Sequence, residues 1–262
     1  MQIVENKVLV VSTKQPHLIT EAITKSKVIG RDKDDYEVAV HWGLAEAQAL
    51  TSLKFPAPSP MSRDYQWTGK LKPFSHQRDT SEFLTLNQKA LCLNQAGTGK
   101  TASVIWAADY LMKLGKIKRV LVVAPLSIMK SAWQEDLFKF AMHRSCAVAH
   151  GSAAARAKVI KSGAEFVIIN YDGLEVVKQE LIDGGFDLVV ADEATALKNP
   201  MTRRWKMFRS VSANSPWLWL LTGTPAAQSP VDAFGLAKLV NPSMTSMYFG
   251  QFRDKVMYKL SQ

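Results

Sequence analysis

The sequence predicts an α/β fold in which helices cover both faces of a mainly parallel sheet, with a small β-rich accessory unit in front of it. Two observations carry this prediction. From Leu71 onward, short continuous apolar runs alternate with segments that have helical spacing. Strands that are apolar along their whole length are typical of parallel sheets, because helices bury both faces. Before residue 56, strand-like runs follow one another with polar turns between them.

Residues 1–55 form the predicted accessory unit. Its strands are "KVLVVS" and "YEVAVHW", which are rich in β-branched and aromatic residues, and "IGRDKDD" between them has the composition of a turn. "GLAEAQALTSL" has helical composition. Three prolines within five residues come next, and they predict a stiff, extended linker over residues 56–70. The main domain is then expected over residues 71–262.

Six apolar runs are the predicted strands of the main domain, and helix-like segments separate them. They are "ALCLN", "RVLVVAP", "CAVAHG", "FVIINY", "FDLVVADE" and "WLWLLTGT". In an open sheet of this kind, ligands bind at the carboxyl ends of the strands. The loop and acidic motifs described below lie at such ends.

The positive charge is unevenly distributed along the chain. The net charge is +10, and residues 1–70 carry 9 Lys/Arg against 8 Asp/Glu, so the surplus lies in the main domain. Such a surplus fits a polyanionic partner, although a solvated lysine-rich surface explains it equally well. The N-terminus lacks the features of a secretory signal, and no apolar run is long enough to span a bilayer. These features predict an intracellular protein without a membrane partner: cytoplasmic or nucleoid-associated, and nuclear in a eukaryote.

A phosphate-binding loop is predicted at "NQAGTGKT", between the strand "ALCLN" and a helix. Gly97 and Gly99 permit positive φ, so that successive backbone N–H groups can point at phosphate oxygens beside the helix N-terminus. Lys100 can reach the β- and γ-phosphates, and the Thr101 hydroxyl can bind Mg²⁺. Asn94 stands where the strict motif has glycine. A chance match remains the alternative for this motif taken alone.

Two further strands end in polar residues that suit the same chemistry. "FDLVVADEAT" ends in Asp192 and Glu193, which are placed to hold Mg²⁺ and to orient and deprotonate an attacking water. A solvated pair of acids at a strand end is the alternative. "WLWLLTGTP" ends in Thr222 and Thr224, whose hydroxyls can hydrogen-bond the acidic pair and relay the nucleotide state. Taken alone, this stretch is equally a buried strand closed by a turn.

Gln77, in "LKPFSHQRD", precedes the loop by about two dozen residues. Its amide can donate and accept at once, which suits the edge of an adenine. For a single glutamine, a solvent-facing position is the more common explanation. His76 beside it is assigned no role.

The order of these motifs resembles that of superfamily-two helicases. The segments are Gln77, "AGTGKT", "VVAPLSIMKSAW", "AHG", "FVIINYDGL", "VVADEATALKNP" and "LLTGTPAAQSPVDAFGLAKLVNP", which span residues 71 to about 255. The acidic box followed by "LKNP" and the T-G-T-P followed by a helix look like the Swi/Snf branch. The first 70 residues contribute nothing to this resemblance.

The resemblance implies a RecA-like P-loop domain of an ATP-driven motor that moves on double-stranded DNA, and therefore a DNA-dependent ATP hydrolase that uses ATP and Mg²⁺. By that similarity Gln77 contacts adenine, and Asn94 takes part in the nucleotide site. The triphosphate is held by Gly97, Thr98, Gly99, Lys100 and Thr101.

The resemblance also implies the catalytic residues. Asp192 and Thr101 bind Mg²⁺, Glu193 orients and deprotonates the attacking water, and Lys100 acts with them in catalysis. Thr222, Gly223 and Thr224 form the coupling segment, and Pro125, Ser127, Asn170 and Tyr171 line the DNA track, where backbone and hydroxyl contacts to phosphate tolerate any sequence.

Three positions depart from the pattern of the family. Asn94 and Gln95 replace acidic residues that are frequent before the loop glycine, and Asn94 keeps the hydrogen-bonding capacity without the charge. Thr195 replaces the usual histidine of the acidic box. That position typically couples to the T-G-T segment, so the departure bears on coupling more than on ATP binding.

The motor of this family needs a second RecA-like domain, and the sequence predicts none before its last residue, Gln262. An arginine supplied by such a domain is worth several orders of magnitude in rate. We therefore expect the chain to bind ATP, to hold DNA weakly and to hydrolyse little ATP unaided. Two alternatives stay open: a nucleotide-gated binding module for nucleic acid or a partner without motor activity, and an RNA helicase or restriction-type motor.

Overall fold

The computed structural model describes residues 1–67, 71–224 and 229–257. Contacts between Cα atoms divide the chain into two compact units. Residues 1–67 and 81–87 form the first unit, and the other described residues form the second. Within these ranges, no helix combines the length and the apolar character needed to cross a bilayer.

The first unit contains a four-stranded antiparallel sheet in the order β1-β2-β4-β3. Its core is formed by the alternate residues of the strands, such as Leu9 and Val11 on one strand and Val38 and Val40 on its neighbour. The sheet confirms the predicted β-rich accessory unit. The elements of this unit are β1 Gln2–Val4, β2 Val8–Thr13, α1 Pro16–Ala22, β3 Ser26–Asp32, β4 Asp35–His41, α2 Leu44–Ser52 and α3 Met61–Asp64.

The proline-containing stretch differs from the expected linker over its described part, residues 56–67. These residues belong to the first unit, and Ala57, Met61 and Tyr65 are buried. The indole of Trp42 donates a hydrogen bond to the carbonyl of Pro58 at 2.9 Å. Prolines have no N–H, so they can enter a packed region without leaving an unpaired donor. The division into functional domains stays a prediction.

The second unit contains a six-stranded sheet in the order β5-β10-β9-β6-β8-β7, with every described pairing parallel. Helix α4 contributes its first half to this unit and its second half to the first. The elements are α4 Ser75–Leu86, β5 Lys89–Cys92, α5 Lys100–Lys113, β6 Val120–Ala124, α6 Glu135–Phe140, β7 Cys146–Ala149, α7 Ala153–Ile160, β8 Phe166–Asn170, α8 Gly173–Val176, α9 Lys178–Ile182, β9 Leu188–Ala191, α10 Arg203–Ser212, β10 Trp217–Leu221, α11 Phe234–Val240 and α12 Phe249–Val256.

Shorter helical turns follow several of the strands. A π-helix spans Met129–Gln134, and 3-10 turns span Leu126–Ile128, Ala194–Leu197 and Pro230–Ala233. Strands β6, β8, β9 and β10 are buried at every residue, as their continuous apolar runs predict. The mainly parallel α/β fold is therefore confirmed.

The strand register brings the polar motifs to one edge of this sheet. Leu221, the last residue of β10, lies opposite Cys92, the last residue of β5. The amide of Asp192, just after β9, donates to the carbonyl of Val123 on β6 at 2.8 Å. The carboxyl ends of β5, β10, β9 and β6 consequently lie side by side, and the segments that follow them meet there.

Candidate functional site

The loop between β5 and α5 has the backbone geometry of an anion site. Gly97 and Gly99 have φ of +78° and +73°, in the left-handed region that glycine adopts without strain. Gly99 is the N-terminal cap of the 14-residue helix α5, and no side chain caps its N–H groups. The positive end of the helix dipole and these free donors favour a negative group at this position.

Lys100 is a buried cation without a carboxylate partner among the described residues. Its side chain is only 8% exposed. Its Nζ donates to the carbonyl oxygens of Asn94 and Gln95, each at 3.0 Å. The two carbonyls accept from two of its three N–H groups but do not balance its charge, and a buried charge is costly unless it is paired. The residues present therefore fit a bound phosphate.

Asn94 is compatible with this loop although glycine is the usual residue there. Its backbone does not have a positive φ, so the position has no need of glycine. Its Nδ2 donates to Thr80 Oγ1 at 2.7 Å. Inside the loop, Thr98 Oγ1 donates to the carbonyl of Gln95 at 2.8 Å. Thr101, half-buried at the start of α5, follows directly on Lys100.

Gln77 lies against the loop. Its Nε2 donates to the carbonyl of Thr98 at 3.3 Å, and its Oε1 accepts from the amide of Phe74 at 3.0 Å. A Cβ added to Gly99 would lie 2.1 Å from this Nε2, so the amide occupies the space that a larger residue would need. Both ends of the Gln77 amide thus bond to protein groups, and its predicted contact with adenine stays a prediction.

A cavity of about 420 Å³ lies beside the loop and is lined in part by α4. Its lining residues are His76, Asp79, Thr80, Asn94, Gln95 and Thr98. The ring of His76 stacks on Phe74 at 5.7 Å, and its Nε2 lies 3.1 Å from the carbonyl of Thr98. The sequence alone predicts no role for His76. The sequence contains one signal for this cavity: His76, Asp79 and Thr80 are spaced i, i+3, i+4, which places them on one face of a helix.

Asp192 is a buried carboxylate held from both sides. It is 5% exposed, its Oδ2 accepts from the indole Nε1 of Trp133 at 2.8 Å, and its Oδ1 accepts from the amide of Glu193 at 2.9 Å. Burial raises the pKa of Asp192 despite these two hydrogen bonds and the nearby charge of Lys100, which lower it. The carboxylate is thus oriented by donors and lies in the field of the loop lysine.

Glu193 adopts a left-handed backbone with φ of +49° and starts the 3-10 turn that follows β9. Such a conformation is strained for a residue with a side chain and is found disproportionately at functional sites. The chain thus leaves the extended conformation directly after β9, and two consecutive carboxylates, Asp192 and Glu193, follow the strand at the sheet edge. The hydroxyl of Tyr171 donates to the carbonyl of Asp192 at 2.7 Å.

The T-G-T segment contacts the phosphate loop. A Cβ added to Gly223 would lie 3.2 Å from the amide nitrogen of Ala96 and 3.4 Å from the carbonyl of Asn94. Thr222 is fully buried, and its Oγ1 accepts from the amide of Thr224 at 3.1 Å. Gly223 therefore packs against the backbone of the loop, whereas the Asp192 side chain bonds to Trp133.

Three of the four predicted track residues line one cavity. Pro125, Asn170 and Tyr171 border a space of about 310 Å³ together with Glu193 and Thr195. Ser127 is exposed in the adjoining 3-10 turn. The structure thus brings the ends of β6 and β8 beside the acidic pair.

Arg156 is a residue of this region that sequence analysis missed. It is buried on α7, and its Nη1 donates to Asn170 Oδ1 at 2.9 Å and to the carbonyl of Ala149 at 2.8 Å. Since arginine only donates, the amide oxygen of Asn170 must face it, and the amide NH₂ is left to donate elsewhere. No sequence pattern signals this contact, because it depends on how α7 packs beside β8.

Comparisons with known proteins identify the family of the chain. A model of the SNF2-related domain matches residues 41–261. Putative protein p41 of Acyrthosiphon pisum secondary endosymbiont phage 1 is 34% identical over 155 residues, which are 55% of this chain and 34% of that protein. The SWI/SNF-related matrix-associated actin-dependent regulator of chromatin subfamily A-like protein 1 of Xenopus laevis is 30% identical over 196 residues, 73% of this chain and 19% of that protein.

A solved structure gives the same result. The Sulfolobus solfataricus SWI2/SNF2 ATPase core in complex with dsDNA has a TM-score of 0.64 and 26% identity, covering 72% of this chain and 40% of that chain. The present chain therefore spans well under two thirds of each of these proteins. The RecA-like fold and the predicted resemblance to the Swi/Snf branch are confirmed. Because the family model covers most of its length, the chain belongs to the SNF2-related domain family.

Proposed function

We propose that this chain is the ATP-binding half of a Swi/Snf-type, ATP-dependent translocase on double-stranded DNA. It hydrolyses ATP to move on DNA when a second RecA-like domain completes the site. One observation carries the proposal: Lys100, which is buried in a glycine loop and has no carboxylate partner among the described residues, lies in the electrostatic field of the buried carboxylate of Asp192. A cation and a carboxylate at adjacent strand ends suit a nucleotide bound with a metal ion.

The residues of the loop bind the triphosphate. Lys100, whose Nζ now donates to the carbonyls of Asn94 and Gln95, would donate to phosphate oxygens instead. The backbone N–H groups of Gly97, Thr98 and Gly99 donate to the phosphates from the N-terminus of α5. The face of α4 that carries Gln77 borders the space for the base.

Thr101 and Asp192 would hold Mg²⁺, which neutralises charge that develops on the phosphates. Trp133 and the amide of Glu193 keep the Asp192 carboxylate in one orientation. Glu193, which follows Asp192 directly and lines the cavity at Pro125 and Asn170, would accept the proton of the attacking water. Gly223 packs against the phosphate loop, and the segment Thr222, Gly223 and Thr224 would sense the state of the loop through this contact.

Double-stranded DNA is the proposed partner. Support comes from the cavity at Pro125, Asn170 and Tyr171, from the exposed Ser127 beside it, and from the positive surplus outside the first 70 residues. A relative in structure was solved with dsDNA. The protein is accordingly expected where DNA is, in the nucleoid or the nucleus.

A second RecA-like domain is the other proposed partner. The chain matches 40% of the solved ATPase core, and the loop edge of the described sheet offers no arginine at the phosphate site. An arginine supplied across such a site contributes about 10³–10⁵ in rate. Hydrolysis by this chain alone is therefore expected to be slow.

The test is stabilisation by Mg-ATP and ATP turnover, each with and without duplex DNA. Wild type is compared with Lys100→Ala and with Lys116→Ala, which removes an exposed lysine beyond the other end of α5. We expect Mg-ATP to raise the melting temperature of wild type and Lys116→Ala but not of Lys100→Ala. Lys100-independent turnover or the absence of any ATP binding would refute the proposal. Stimulation by RNA but not by duplex DNA would reassign the substrate.

A further inference from the structure

Trp133 is a fully buried side chain with one polar atom, and that atom is bonded to the acidic box. Its indole Nε1 donates to Asp192 Oδ2 at 2.8 Å, and the side chain is 0% exposed. An indole N–H can only donate, and an unpaired buried donor is costly. The hydrogen bond therefore persists as long as Trp133 stays in place, and any displacement of the indole acts directly on the carboxylate.

The backbone that carries Trp133 continues from the predicted DNA track. Pro125 and the 3-10 turn containing Ser127 lead straight into the π-helix Met129–Gln134. Ser131 Oγ donates to the carbonyl of Ser127 at 3.3 Å, which ties the two turns together. A π-helix is rare and occurs frequently at functional sites. A DNA phosphate that contacts Ser127 would therefore lie about two helical turns along the backbone from the indole of Trp133.

The second segment of the proposed DNA track, which contains Tyr171, also contacts Asp192. The hydroxyl of Tyr171, at the end of β8, donates to the backbone carbonyl of Asp192 at 2.7 Å. The amide of Asp192 in turn donates to Val123 on β6. Both track segments therefore end in a hydrogen bond to Asp192, one at its carboxylate and one at its backbone.

We infer that Trp133 is a positioning residue that couples occupancy of the DNA track to the orientation of the Asp192 carboxylate. Tyr171 supports the same residue from its backbone side. The inference rests on the proposed function, because it joins the proposed DNA and Mg-nucleotide sites. Coupling of this kind is reciprocal: duplex DNA changes the affinity for Mg-nucleotide by the same factor by which Mg-nucleotide changes the affinity for DNA.

The experiment measures this factor in a binding cycle with Mg-ATPγS and a short DNA duplex. Trp133→Phe keeps an aromatic ring at the position, although a smaller one, and removes the donor. The matched control is Trp205→Phe, because Trp205 is also a buried indole of the second unit, with its Nε1 bonded to the carbonyl of Gly235 at 2.9 Å. Both variants lose one buried hydrogen bond, so a general loss of stability appears in both.

We expect wild type and Trp205→Phe to share a coupling factor of about 5 or more, and Trp133→Phe to bring it close to 1. A direct readout is the indole ¹⁵N–¹H resonance of Trp133, identified by its loss in Trp133→Phe. Duplex DNA added without nucleotide should shift this resonance and leave that of Trp205 in place.

Equal coupling in all three proteins would overturn the inference while leaving the proposed function intact. The inference would also be overturned if duplex DNA binds and the indole resonance of Trp133 does not shift. If wild type binds neither Mg-ATPγS nor the duplex, the proposed function fails, and the inference fails with it.

Discussion

Lys100 shows how single residues define this site. The residue is 8% exposed, and among the described residues its ammonium bonds to two loop carbonyls rather than to a carboxylate. Glycines on either side of Thr98 give the loop its shape, yet their surroundings differ. A Cβ at Gly99 would strike the amide of Gln77, whereas a Cβ at Gly97 would meet no atom within 4 Å. Position 97 therefore needs glycine only for its positive φ. Position 99 needs glycine for its positive φ and also because the Gln77 amide leaves no room for a Cβ.

Alanine at these two glycines should separate the two effects. Gly97→Ala is expected to cost about 1 kcal/mol of folding free energy, from the positive φ alone. Gly99→Ala should cost about 2 kcal/mol or more, because the Gln77 amide must also give up its bonds to Thr98 and Phe74. Urea denaturation measures both costs. Equal losses in the two variants would show that the Gln77 contact has no energetic weight.

Helix α11 shows how an element is positioned beside the acidic box. Gly235 lies so close to the turn after Glu193 that an added Cβ would be 2.3 Å from the carbonyl of Lys198 and 2.4 Å from that of Leu197. Its amide donates to Lys198 at 3.0 Å, and its carbonyl accepts from the indole of Trp205. This close approach locks the segment that continues from the acidic pair onto the body of the second unit.

Gly235→Ala should therefore loosen that segment. The atoms in the way are backbone, so the helix itself must shift, at a cost of about 2–3 kcal/mol. Gly250→Ala is the matched control: it is also the second residue of a helix, with no atom within 4 Å of its added Cβ. That control should stabilise the protein by about 0.5 kcal/mol through helix propensity. Thermal melting compares the two, and a neutral Gly235→Ala would contradict the packing argument.

At the scale of the whole molecule, the positive surplus lies in the part of the chain that contains the proposed DNA track. The net charge is +10, and nearly all of it belongs to residues after 70. Lys130 is exposed on the π-helix that continues from the track. Lys27 is equally exposed on β3 of the first unit. Lys130 continues the proposed track, whereas Lys27 belongs to residues 1–70, in which positive and negative charges nearly balance.

Lys130→Ala is expected to weaken binding to duplex DNA of any sequence and to reduce the slope of log K against log salt by about 1. The physical reason is the loss of one phosphate contact and of the counterion that it releases. Lys27→Ala should leave both the affinity and the slope unchanged. Titrations of a labelled duplex at several salt concentrations measure these quantities. Equal effects of the two substitutions would mean that binding is non-specific attraction to a basic protein.

Much of the fold and of the candidate site was predictable because its signals are local. Continuous apolar runs marked the buried strands, and strand–loop–helix succession marked the loop at Lys100. The stretch around Pro58 was less predictable. Prolines suggest extended backbone, but burial of Ala57 and Met61 depends on partners such as Trp42, which lies outside the stretch. The roles of the site residues stay predictions that the binding experiments address.

The sequence by itself determined the class of the sheet, the glycine loop and the acidic pair, since each depends on neighbours within a few residues. Tertiary structure alone decided which side chains hold Asp192. Trp133 lies 59 residues from it in sequence and Tyr171 lies 21 residues away. They meet because β6 is inserted between β9 and β8 in the sheet, so that segments far apart in the chain end at one edge. Strand order is set by the packing of the whole sheet and its helices, which no local pattern encodes.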